Sequence, residues 1–178
     1  MIKYPGHYPV PGFREKDSAA VLVIIHYNKD LPYIILTKRS SSVKSHASQI
    51  SFPGGKYSKD EDNSLLDTAL RETKEEIGIT FTHEDILGRL SPVKTLTSNF
   101  VIVPFVTLID NLPMPKIMTE EVEGIIDVPL FGILANLEAD IEHYDHASHN
   151  NVYKFIFQEN AVWGATARIL KQLHDLLL

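Results

Sequence analysis

The chain has 178 residues, 44% apolar and 22% charged, with no cysteine, which describes one domain of ordinary size whose core needs no disulfide, since at this length about 70% of the unfolded surface is buried on folding. Seventeen basic against 23 acidic residues give a net charge of −6 with no cluster of Lys and Arg, which argues against nucleic acid as a principal partner. The longest unbroken apolar run, 19–25, is seven residues, far short of the roughly 20 that span a bilayer, and it lies too deep to be a cleavable signal; with no cysteine, the expectation is a cytoplasmic protein with no membrane partner.

In chain order, residues 1–17 contain Pro5, Gly6, Pro9, Pro11 and Gly12, which break any regular period and predict an irregular arm ahead of a single domain over 18–178. Two β-branched runs follow, AAVLVIIHY and LPYIILTKR, with Asn28, Lys29 and Asp30 between them as a polar turn; they predict a hairpin. The polar stretch 40–55 is rich in Ser and ends Phe52-Pro53-Gly54-Gly55, a loop long enough to suggest function. Over 63–77, Leu66, Leu70, Thr73 and Ile77 recur at helical steps and Gly78 supplies a stop, which predicts one amphipathic helix. Strand-like runs cover 86–93, 100–109, 122–128 and 153–157, and Pro104 marks the second as an edge or a bulge. Trp163, Ala167, Leu170, Leu173 and Leu177 predict a final helix, with Trp163 read as core rather than as a base-stacking platform. The terminal leucines, 176–178, fit core, a frayed end or a homodimer contact equally. Strands and helices mixed without a βαβ rhythm indicate an α/β sandwich rather than a doubly wound sheet.

The predicted helix also has a second face. At about 100° per residue, Glu72, Glu75 and Glu76 fall within roughly a 100° arc, away from the arc of Leu66, Leu70, Thr73 and Ile77. Three carboxylates on one patch repel one another unless cations occupy it, and hard divalent ions take oxygen ligands. A bare cluster of helix glutamates is usually a solvated face, here with Arg71 pairing to Glu75. The upstream SFPGGK loop favours a metal site, because glycines let a backbone group approach a ligand closely.

Gly54-Gly55 followed by Arg71-Glu72-Thr73-Lys74-Glu75-Glu76-Ile77-Gly78-Ile79 resembles the signature box of the Nudix hydrolases. The resemblance implies an α/β/α sandwich with a mixed sheet, Mg²⁺ or Mn²⁺ as cofactor, and a small-molecule nucleotide diphosphate as substrate. It implies that Glu72, Glu75 and Glu76 bind the metal, that Arg71 holds a glutamate in place, and that Gly54 adds a carbonyl ligand. The first half of the box departs from the pattern. Asn63 stands where the family usually has a glutamate, and 15 residues separate Gly55 from Arg71 where 13 are usual. A longer loop over 57–62 would let Glu61 or Asp62 supply the carboxylate.

The spacing of Leu36-Thr37-Lys38-Arg39-Ser40, Lys44, Ser48 and Phe52-Pro53-Gly54-Gly55 resembles the motif of the coenzyme A diphosphatase branch. Lys44 replaces an arginine, keeping charge but losing the bidentate fork, and Ser48 replaces a glycine. The stretches LGRLSPVKTLTSNF, EVEGIIDVPL and WGATARIL are also similar to that branch. The resemblance implies substrate contacts at Arg39, Lys44 and Lys56. Such enzymes often recruit an acid outside the box, which points to Glu121 more than Glu120; the proton-abstracting base is Glu121 or a box glutamate. His46 reads as a loop residue, and His143, His146 and His149 as a polar stretch rather than a zinc site. The expected reaction cleaves coenzyme A to 3′,5′-ADP and 4′-phosphopantetheine. The alternatives are hydrolysis of ADP-ribose or another nucleotide diphosphate, and a non-catalytic ligand sensor, which the Asn63 departure favours and the retained glutamates oppose.

Overall fold

The apolar run that begins at Ser18 becomes the axis of a mixed sheet. In the computed structural model, which describes residues 17–41, 49–95, 100–139 and 153–178, strand β1 (Ser18–Asn28) turns directly into β2 (Leu31–Arg39). Lys29 and Asp30 both have positive φ, 50° and 67°, the two-residue turn whose twist matches that of the flanking strands. The predicted N-terminal arm falls almost wholly on residues outside those described, as do Lys44, His46, Ser48 and the three clustered histidines.

Past Ile34 the two strands part, and short strands fill the gap: β3 (Ile50–Ser51) lies on β2 and β4 (Gly54–Lys56) on β1. Helix α1 (Leu65–Ile77) follows, then a 3₁₀ turn at His83–Asp85 and the strands β5 (Ile86–Arg89), β6 (Val93–Lys94) and β7 (Val101–Ile109). The last of these runs parallel to β1 from Ser18↔Val101 to His26↔Ile109 and carries β5 and β6 on its other side. Strand β8 (Val122–Pro129) flanks β2. A short helix, α2 (Leu130–Leu134), then leads to a second antiparallel sheet of β9 (Leu137–Ala139), β10 (Tyr153–Phe157) and β11 (Asn160–Val162), and helix α3 (Gly164–Leu177) ends the chain.

Both faces of the main sheet are covered, which is why β1 is a continuous apolar run rather than an alternating one. Ala20, Leu22 and Ile24 meet Leu66, Ala69 and Ile77 of α1. Val21 and Val23 meet α2 and α3 through Ile133, Leu134, Ala167 and Leu170. The sandwich expected from the sequence is therefore present, with the small sheet added beside α2 and α3.

Helix α1 starts where Ser64 caps it, its hydroxyl accepting the Asp67 N–H at 3.2 Å. It ends at Gly78, whose φ of 73° is left-handed and whose N–H reaches the Lys74 carbonyl. Two further carbonyls at that end are met by a neighbouring segment, as Met118 N–H donates to Glu76 O and Lys116 N–H to Ile77 O.

Several sequence expectations need correction. The two arcs of α1 are less cleanly divided than the periodicity suggests: Glu76, on the acidic arc, is buried with Thr73 and Ile77, while Leu70, on the apolar arc, is only half-buried. Of the edge or bulge that Pro104 suggests, the edge is absent, since β7 lies between β1 and β5, while an irregularity is present, the register slipping between Phe105↔Arg89 and Ile102↔Val93. The Pro104 carbonyl accepts the Leu90 N–H, so its donorless nitrogen faces the break between β5 and β6, where no ladder bond is needed. Trp163 is half-buried at the N-cap of α3 rather than in the core, and Leu176, Leu177 and Leu178 are exposed. Among the described residues no helix is long and apolar enough to cross a membrane.

Candidate active site

The site begins with two glycines that let a helix lie against a strand. Gly54 sits opposite Val21 with φ of 151°, and a Cβ there would come within 2.3 Å of the Ala20 carbonyl oxygen. At Gly55 a Cβ would fall 2.4 Å from Cδ of Glu72. At Gly54 the clash is with backbone and excludes any side chain, while at Gly55 a side chain would displace the Glu72 carboxyl, so the Gly-Gly pair is what allows the acids of α1 to reach β4 as they do. The Gly54 N–H then donates to Oε2 of Glu76 at 3.1 Å.

Arg71, one turn earlier on α1, is the hub of the remaining acids. Its Nε and Nη2 grip the two oxygens of Asp62 at 2.8 and 3.1 Å, and its Nη1 donates to Glu72 at 2.8 Å and to Glu75 at 3.0 Å. The Asp62 side chain is 0% exposed, against 19% for Arg71 and 52% for Glu75. Asp62 also accepts the Ser58 N–H and the Thr68 hydroxyl. Burial alone would push its carboxyl up, but Arg71, Ser58 and Thr68 more than offset that and hold it below the ordinary range. The bond to Asp62 in turn holds the Arg71 guanidinium firmly protonated.

Asp62 thus resolves the departure in the box. Asn63 and Glu61 are exposed, and the carboxylate beside Arg71 comes from one position earlier with one methylene less, a combination the longer loop permits. The signal was present in the sequence, but spacing alone left Glu61 and Asp62 equivalent. Ser58 and Thr68 were not singled out at all, because a hydroxyl or amide supporting a buried carboxylate has no pattern of its own.

The charge on the other acids is set by what surrounds them. Glu76 is pushed up to about 7, first by burial and then by the charges of Glu72 and Glu121, with the Gly54 N–H and Arg39 opposing. Glu72 is raised for the same leading reason, against the pull of Arg71. A buried carboxylate with that much proton affinity is one that a cation would readily take over. The three helix acids and the glycine backbone offer only hard oxygen donors, which suits a Mg²⁺- or Mn²⁺-sized ion. They do not form a finished cage: among the described residues no three acidic or histidine side chains converge as one, because Arg71 holds Glu72 and Glu75 while Gly54 holds Glu76. The repulsion expected among them is thus partly balanced within the chain.

The expected substrate contacts are placed as follows. Arg39, at the end of β2, donates from Nη2 to Oε2 of Glu121 at 2.9 Å, and both lie close enough to Glu76 to affect its proton affinity. Lys56 follows the glycine pair on β4 and sits with Nζ 5.0 Å from the Phe100 ring centre. Glu120 is exposed. The structure therefore brings Arg39, Gly54, Arg71, Glu72, Glu75, Glu76 and Glu121 to one end of α1, with Lys56 at its margin.

Comparison with known proteins agrees with this arrangement. The model of the NUDIX domain matches residues 16–143. An uncharacterized Nudix hydrolase, NudL, of Yersinia enterocolitica is 37% identical over 171 residues, covering 93% of this chain and 85% of that protein; its counterpart from Yersinia pestis (strain Pestoides F) is 34% identical over 157 residues, covering 87% and 77%. Among solved structures, the NUDIX domain of Shewanella oneidensis NrtR in complex with ADP ribose superposes with a TM-score of 0.65 at 17% identity, covering 96% of this chain and 94% of that one. RenU, a Nudix hydrolase from M. smegmatis, gives 0.60 at 11% identity, covering 90% and 85%. At such identities the likeness is one of fold.

Two measurements check the electrostatics. Asp62→Asn leaves Arg71 facing a neutral partner in a dry site and should destabilise the fold by roughly 2–4 kcal/mol, read from urea midpoints; a change near zero would show that Asp62 does not anchor Arg71. Glu76 has a folded-state value of about 7 against an ordinary 4.5, so in chelator the wild type loses stability as pH rises from 4.5 to about 7 and then levels off. Relative to it, Glu76→Gln should gain on the order of 3 kcal/mol across that window, and a flat or falling difference would contradict the burial of this charge.

Proposed function

The chain belongs to the NUDIX family, and on that premise we propose that this pyrophosphohydrolase acts on coenzyme A or its derivatives, releasing 3′,5′-ADP and 4′-phosphopantetheine. Its chemistry is hydrolysis of nucleoside diphosphate-linked compounds, and enzymes of the family generally use divalent ions such as Mg²⁺ or Mn²⁺. The observation that supports the site assignment best is the pairing of the Gly54 N–H with buried Glu76 beside an Arg71 that gathers Glu72 and Glu75.

In this reading Glu72, Glu75 and Glu76, with the carbonyl of Gly54, hold the metal. When bound, a divalent ion supplies positive charge to the diphosphate oxygens and acidifies a water. Arg71 keeps the acids in register by its grip on Asp62, so that α1 need not reorganise when substrate arrives. Arg39 and Lys56, together with Lys44, neutralise the diphosphate and the 3′-phosphate. Glu121 takes the proton from the attacking water as the oxygen bonds to phosphorus and the anhydride P–O bond breaks, the leaving phosphate carrying away the electron pair. Support for coenzyme A over other diphosphates comes from the motif spacing between Leu36 and Gly55.

A hydrolysis panel over coenzyme A, ADP-ribose, NADH and diadenosine polyphosphates with Mg²⁺ or Mn²⁺ tests the reading. The expected result is preferential cleavage of coenzyme A, with Glu75→Gln and Glu76→Gln each lowering the rate on the order of 100-fold or more. Preference for another diphosphate would overturn the substrate, and full activity in either variant would overturn the assignment of the acids.

A further inference from the structure

At the end of β2 the ladder to β8 is irregular. Lys38 pairs with Gly124 but Arg39 with Val122, so Glu123 is an extra residue on β8, a bulge of the kind that re-aims side chains near functional sites. Its consequence is a split of partners: Glu123 pairs with Lys38 at 3.2 Å, while Glu121 pairs with Arg39 at 2.9 Å. Arg39 is fixed from both directions, since its own N–H donates to Gln49 O and the next, Ser40 N–H, to Glu121 O.

The Arg39 side chain is nevertheless incompletely served. Its Nε is fully buried and meets no acceptor among the described residues, which costs the desolvation of a charged donor. The one carboxylate it does meet, Glu121, is 60% exposed, and an ion pair that open to water is weak. A guanidinium that carries the cost of one dry, unmet nitrogen and has one weakly held partner is poised to exchange that partner for a doubly charged diphosphate.

Resting on the reading of Arg39 as a phosphate contact and Glu121 as the base, we propose that the Arg39–Glu121 pair is a latch that the substrate's diphosphate opens. A phosphate oxygen takes Glu121's place on Nη2. Glu121, released, becomes free to accept a proton. Before substrate arrives Arg39 and Glu121 are paired with each other, so Glu121 competes with substrate for the same cation.

That competition gives a signature that a base alone would not. Binding of α,β-methylene-ADP, a non-hydrolysable nucleoside diphosphate, is measured by calorimetry with Mg²⁺ for wild type, Glu121→Gln, Arg39→Met and the double variant. Removing the competitor should tighten binding roughly two- to fivefold in the wild-type background and leave it unchanged once Arg39 is Met. Glu123→Gln, which removes the same charge two residues away from a different cation, should have no effect. Should Arg39→Met fail to fold, Arg39→Lys serves in its place, and the gain should then shrink. Kinetically, Glu121→Gln should lower KM and kcat together. Unchanged or weaker binding in Glu121→Gln, or an equal gain without Arg39, would overturn the latch. A wild type that hydrolyses no diphosphate while the binding cycle still shows coupling would instead overturn the catalytic reading and leave the latch standing.

Discussion

Asp62 has a side chain wholly withdrawn from water, and a carboxylate in that position survives as an ion only with a cation and hydrogen-bond donors against it. Arg71, Ser58 and Thr68 meet that requirement. Much of the site follows from the fixed direction of the Arg71 fork. With Nε and Nη2 committed to Asp62, Nη1 is left on the outward side of α1, where Glu72 and Glu75 come to it from one and four residues along the helix. Gly55 makes room for Glu72, and Gly54 presents its N–H to Glu76. A loop two residues longer than usual and a side chain one methylene shorter thus arrive at the same clamp.

The electrostatics of the site are graded from one end to the other. Asp62 is held ionised, Glu72 is raised, and Glu76 is pushed up to about 7. The gradient has a physical cause: burial raises all three, and the offset against it falls from Asp62, which Arg71 serves best, to Glu72, and then to Glu76, which has only the Gly54 N–H and the more distant Arg39. Glu76 is therefore the acid with most to gain from an added cation, and the free-energy cost of keeping it buried is the reserve that metal binding would draw on. Arg39 and Glu121 lie on the same side and act on it with opposite sign.

Much of this was legible in the sequence, for reasons that particular residues make plain. The β1–β2 hairpin, α1 with its stop at Gly78, β7, β8 and α3 follow from periodicity and turn residues, and the second half of the box marked the helix acids. What was missed depended on contacts between distant segments. Helical arithmetic put Glu76 on the acidic arc but could not foresee its burial, because it cannot know that β4 closes over that side of α1. Pro104 left edge and bulge both open because the break between β5 and β6 that accommodates it lies elsewhere in the chain. Helix α2 is five residues long with no side-chain cap, too short for a periodic signal. The choice of Asp62 over Glu61 was invisible because only the folded loop decides which of two adjacent acids points inward.

The claim on which the rest stands is that the acids of α1, with Arg71 locked to Asp62, form the seat of a divalent ion. Diffraction from crystals grown with MnCl₂, recorded at the manganese absorption edge, tests it directly. The account predicts anomalous density bonded to carboxylate oxygens of Glu72 and Glu76, with Arg71 still gripping Asp62. Manganese bound away from α1, or at α1 only with the Arg71–Asp62 pair broken, would contradict it.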